Sequence, residues 1–162
     1  MSDSTTPGVE ARLAALGIDV GPAIPPLGSY AAAVEHDGLV FTSGVVGLQA
    51  PDWTLLYPGR FGADLSPADA NASARAAMIS TLANVRGLLG SLDRVTRVLR
   101  VTGYVSSVDA PVGLPGVLNG ATDLLADIFG ADALPVRSAI GVAALPGGSS
   151  VELECIFAVG PS

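Results

Sequence analysis

The last strand of the chain constrains the architecture more than any other stretch. Val151, Leu153, Cys155, Phe157 and Val159 alternate with Glu152, Glu154, Ile156 and Ala158. This is the period of two that sends successive side chains to opposite faces of a sheet. The first set is wholly apolar and is expected to meet helices. The second is mixed: too apolar to leave bare in water, yet carrying two carboxylates. A subunit interface containing a polar site would account for both features. Composition points the same way, since 162 residues that are 49% hydrophobic and 14% charged supply little charge to cover a monomer, and charge is depleted at subunit interfaces. A homo-oligomer is expected.

The elements before that strand can be placed from local signals. Val9–Leu16 reads as a short helix with Thr6 and Pro7 at its start, and Gly21–Ser29 is too rich in Pro and Gly for regular structure. Ala31–Glu35 and Leu39–Ser43 flank Asp37-Gly38, a hairpin turn pair. Gly47–Leu65 is a long connection whose Trp53, Tyr57 and Phe61 suggest packing. Ser66-Pro67-Ala68-Asp69 supplies a hydroxyl cap, a first-turn proline and an acid at the positive dipole end of a helix that runs to Gly90. Val95–Val105 reads as a strand, and Leu114–Phe129 as a second helix stopped by Gly130. Ser138–Leu145 and Val151–Val159 are expected to form a closing hairpin around Pro146–Ser150. The order β-β-α-β-α-β-β packs most simply as an α+β fold, one mixed sheet with two helices on one face.

Several function classes are excluded by what the sequence lacks. Cys155 is the only cysteine and His36 the only histidine, so neither an internal disulfide nor a zinc or iron site is expected. Cys155 reads as a small buried hydrophobe, and His36 as a solvated turn residue. No apolar run reaches the ~18 residues of a membrane helix, and the polar, acidic start is unlike a signal peptide; the chain reads as soluble and cytoplasmic. Net charge is −7 with no lysine, which disfavours nucleic-acid binding, a process driven by basic surface. Arg94, Arg97 and Arg100 are the one concentration of cations, and strand alternation sends 97 and 100 to opposite faces.

The residues left to carry chemistry are Arg137, Glu152, Asn119, Tyr30 and Ser43. Arg137 opens a strand inside a charge-free stretch and needs an anion, either a carboxylate of the protein or one of a ligand. If the closing hairpin forms, Arg137 lies opposite Ala158, about 20 Å from Glu152 along the strand. The two would then meet one small substrate across a subunit boundary.

Pro135-Val136-Arg137-Ser138-Ala139-Ile140, then Leu145-Pro146, then Val151-Glu152-Leu153-Glu154 resembles the C-terminal signature of the reactive-intermediate deaminase family (Rid, also YjgF or endoribonuclease L-PSP). Gly28-Ser29-Tyr30, Phe41-Thr42-Ser43-Gly44, Ala83-Asn84-Val85 and Asn119 match in the same order, so the likeness covers Pro26 to Val159. It implies a single Rid-like domain over 1–162, with 1–25 a tail and short helix and 26–159 the core. It implies a chorismate-mutase-like fold assembled as a homotrimer, with ligand sites between subunits. It implies that Arg137 clamps a substrate carboxylate, that Glu152 holds or activates water, and that Tyr30, Ser43, Gly44 and Asn119 line the pocket. The implied reaction is cofactor-free hydrolysis of small enamines or imines of 2-imino acids to keto acid and ammonia, with no metal. Alternatives are a small-carboxylate-binding module and, less favoured, an endoribonuclease or translation inhibitor. Ala139 and Gly141 stand where the best-known branch often has Cys and Glu, and 119–125 resembles a longer branch without a well-assigned reaction.

Overall fold

The computed structural model describes residues 7–108 and 112–161. After the short helix α1 (Val9–Ala15), the antiparallel pair β1 (Ala33–His36) and β2 (Leu39–Thr42) turns on Asp37 and Gly38, both at positive φ as such a tight turn requires. Short strands β3 (Val45–Val46), β4 (Leu48–Gln49) and β5 (Thr54–Leu55) follow, the last two forming a small hairpin inside the 47–65 connection. Then come α2 (Pro67–Leu89), β6 (Val95–Ser106), α3 (Leu114–Phe129), β7 (Val136–Val142) and β8 (Val151–Val159). The N-cap of α1 is Gly8, so Pro7 precedes the helix; Thr6 lies outside the described residues. At α2 the expected cap is complete: the Ser66 side chain accepts from the Asp69 amide and the Asp69 carboxylate accepts from the Ser66 amide.

The sheet runs β1-β2-β8-β6-β7, with β3 also paired to β8. The expected closing hairpin does not form. β7 pairs with β6 in parallel, and β8 lies on the other side of β6, antiparallel to it. The cause is the α3 crossover: a strand returning from a helix lies parallel to the strand before it. β6, twelve residues long, then has one edge left for β8. The apolar side of β8 is buried as expected, Leu153 and Phe157 fully, beneath α2.

Two register shifts in β6, between Val95 and Arg97 and between Val98 and Arg100, make its inward residues Val95, Val98 and Val101 recur every third position. Each bulge adds one residue and resets the alternation. Arg97 and Arg100 therefore share the open face, opposite Ala158 and Ile156, instead of opposing each other. Arg94 is taken up by Glu35, 2.7 Å away.

Candidate functional site

Glu152 sits in one cross-strand row with Tyr104 and Ile140 on the face away from the helices. It lies where β3 replaces β2 beside β8, with Val46 as its partner. The chain reaches that point through Gly44, where any Cβ would overlap the Glu152 carboxylate. A side chain there would push the Glu152 carboxylate out of this position, while the backbone itself needs no unusual φ. Glu152 borders a cavity of about 340 Å³ shared with Tyr30, Ser43 and Gly44, four of the six expected site residues. Burial raises the Glu152 pKa, and the charge of Glu154 raises it further. Glu154 in turn accepts a hydrogen bond of 3.1 Å from the Tyr104 hydroxyl, which holds the phenol proton more tightly. Tyr104 was not among the expected residues, and its link to the carboxylates is visible only through the β6–β8 register.

Arg137 and Asn119 lie elsewhere. Arg137 pairs with Val101, which pairs with Cys155. That row faces the helices, so Arg137 is on the opposite face from Glu152. The expected position opposite Ala158 is corrected with the hairpin that implied it. Three residues along the strands and two strands across put the backbones of Arg137 and Glu152 about 14 Å apart. The Arg137 guanidinium donates to Thr122 Oγ1 at 3.0 Å and to the Pro115 carbonyl at 3.2 Å, both on α3. Asn119 is exposed on the same helical stripe as these two acceptors. No carboxylate of the described residues lies within 4.0 Å of Arg137. Two neutral acceptors orient the guanidinium and leave its charge and three of its five N–H donors uncommitted.

Cys155 is buried, and burial pushes its thiol far up, so it stays protonated in the core. Among the described residues no group of three His, Cys, Asp or Glu is placed to hold a metal ion, and no helix is long and apolar enough to cross a membrane.

The raised Glu152 pKa gives a stability prediction. A carboxyl that keeps its proton more tightly when folded contributes stability that is present below its unfolded pKa and lost as pH rises through its folded value. Glu152→Gln is therefore expected to melt higher than wild type at pH 7–8, with the gap closing toward pH 4. Half exposure keeps the gain to no more than ~1 kcal/mol. Thermal melts across that range check it, and a gap that widens toward acid is the contrary result.

A six-stranded mixed sheet backed by helices is the framework of a chorismate-mutase-like fold, and it carries an arginine without a carboxylate partner among the described residues on its edge strand and a carboxylate beside a cavity on its central strand. The profile of the family described as "YjgF/chorismate mutase-like, putative endoribonuclease" matches residues 10–158, and the chain belongs to that family. Protein TCP17 of Trypanosoma cruzi is 34% identical over 149 residues, covering 91% of this chain and 92% of that one. Among solved structures, Atu1372 of Agrobacterium tumefaciens, a protein of unknown function, has 30% identity and a TM-score of 0.84 over 94% of this chain and 92% of that one. RidA of the Antarctic bacterium Psychrobacter sp. PAMC 21119 has 25% identity and a TM-score of 0.60 over 85% and 94%.

Proposed function

We propose that this protein is a cofactor-free hydrolytic deaminase of 2-imino acids and their enamine tautomers, acting at sites shared between copies of a homotrimer. The observation that carries the reading is Arg137: oriented by neutral acceptors, half-buried, and without a carboxylate partner among the described residues. Such a guanidinium is a bidentate receptor for a substrate carboxylate. Glu152, its pKa raised by burial and by the charge of Glu154, suits a base that takes a proton from water as the oxygen adds to the imine carbon. The same proton then goes to nitrogen, giving the carbinolamine; the hydroxyl proton follows it to nitrogen as the C–O double bond forms and the C–N bond breaks, so that ammonia leaves with the keto acid behind. The imine is already an electrophile, so positioning of water and substrate supplies the catalysis. The uncovered face also favours assembly: Val136 is 63%, Val34 48% and Ile140 41% exposed, and apolar area of this kind suits a subunit contact.

The test is ammonia release from 2-aminoacrylate generated in situ. Wild type is expected to accelerate it, and Arg137→Ala to lose about 10²-fold or more in kcat/KM, the scale of a lost charge-assisted bidentate contact. A variant as fast as wild type would sink the reading.

Ala139 and Gly141 favour a second reading, a module that binds a small carboxylate without turnover. Binding of 2-oxobutyrate with no ammonia release selects it. The endoribonuclease reading is weakest, because a net charge of −7 opposes binding of a phosphate backbone.

A further inference from the structure

We propose that the site prefers 2-imino acids with a bulky apolar side chain, and that residues 24–27 set this preference; the inference rests on the deaminase reading above. The cavity beside Glu152 is about 340 Å³, far more than a three-carbon imino acid fills. Its neutral polar groups are each tied to the protein by one hydrogen bond. Ser43 Oγ donates to the Ala31 carbonyl at 2.6 Å, Asn84 Oδ1 accepts from the Ile24 amide at 2.7 Å, and the Tyr30 hydroxyl accepts from the Leu27 amide at 3.2 Å. The Glu152 carboxylate accepts no side-chain or backbone hydrogen bond among the described residues and is the one charged group of the wall, available to the reacting atoms. The rest of the wall, Ile24, Leu27, Val46 and Leu48 among it, offers a ligand apolar contact.

The wall is also held in place. Residues 21–27 form no helix or strand, yet α2 pins them at three points. Asn84 holds Ile24, the Arg86 guanidinium donates to the Gly21 carbonyl at 2.6 Å, and Gly87 leaves room for Ala23, into which any Cβ there would press. A pocket fixed before the ligand arrives loses little entropy on binding, so added methylenes on the substrate translate into affinity.

The experiment compares imines generated in situ from alanine and from leucine by an amino-acid oxidase, together with calorimetric binding of pyruvate and 4-methyl-2-oxopentanoate. Wild type is expected to show kcat/KM at least about tenfold higher on the leucine-derived imine, a modest return for three added carbons in an apolar pocket. Ile24→Trp, which fills the cavity, is expected to reverse that ratio; the wild-type comparison decides alone if the variant does not fold. Equal rates on the two imines overturn the side-chain preference and leave the deaminase reading standing. No acceleration of either imine, with tighter binding of the branched keto acid, overturns the deaminase reading and keeps the preference. No acceleration and no preference in binding overturn both.

Discussion

A one-to-one mixture of Arg137→Ala and Glu152→Gln subunits, co-refolded so that they exchange, is expected to recover about one quarter of wild-type turnover, although each variant alone falls about 10²-fold or more. The fraction follows from geometry. Arg137 lies on the helix side of β7 and Glu152 on the other face of β8, and ~14 Å separates their backbones. A site that uses both must take them from two copies. In a random mixture such a site is intact when the arginine comes from a Glu152→Gln subunit and the carboxylate from an Arg137→Ala subunit, a product of two halves. The same geometry sorts the remaining residues. Tyr30 and Ser43 border the Glu152 cavity, whereas Asn119 shares the α3 stripe that orients Arg137. Ser43→Ala is therefore expected to complement Arg137→Ala but not Glu152→Gln, and Asn119→Ala the reverse. Assays of ammonia release on the mixtures check this, and a mixture no more active than its components places the working site within one chain.

What could be read in the sequence was whatever local chemistry fixes. Ser66, Pro67 and Asp69 mark the start of α2 because a cap is a contact between near neighbours, and Asp37-Gly38 marks a turn because positive φ is a local requirement. The arginine and the glutamate were recognisable for a similar reason, the one being the lone charge of its strand and the other one of two carboxylates on the mixed side of an alternating strand. The pairing of β7 was not readable. Eight residues separate it from β8, and a local rule joins such neighbours into a hairpin, but β6 and the α3 crossover decide the outcome. That change of partner moves Arg137 to the other face of the sheet. The two bulges in β6 have no local signal either, since they belong to its register with β8, ahead of the stretch that β7 joins. The cavity wall is the clearest case. Gly21–Ser29 reads as an unstructured stretch, and the groups that fix it, Asn84, Arg86 and Gly87, are some sixty residues away.

The contact between α2 and α3 rests on Gly120, and Gly120→Ala is expected to destabilise the fold by about 3 kcal/mol, the upper part of the range for overpacking. A Cβ at Gly120 would overlap the Asn71 carbonyl in α2. That atom is backbone in the second turn of a long helix whose cap is complete, so it cannot swing aside as a side-chain tip would. The helices must separate, and the buried residues Leu118, Leu124 and Leu125 of α3 lose contact with the core. Gly116 on the same helix is the control. It is exposed, and a Cβ there would meet nothing within 4 Å, so Gly116→Ala keeps the helix-propensity gain of up to ~1 kcal/mol. One helix thus carries two chemically identical substitutions of opposite expected sign. Thermal unfolding reads them directly: a fall of roughly 6–12 °C at 120 and a rise of about 1–4 °C at 116 for a chain of this length. Propensity alone would stabilise both variants. A matching rise at Gly120 would mean that α2 and α3 pack farther apart than described.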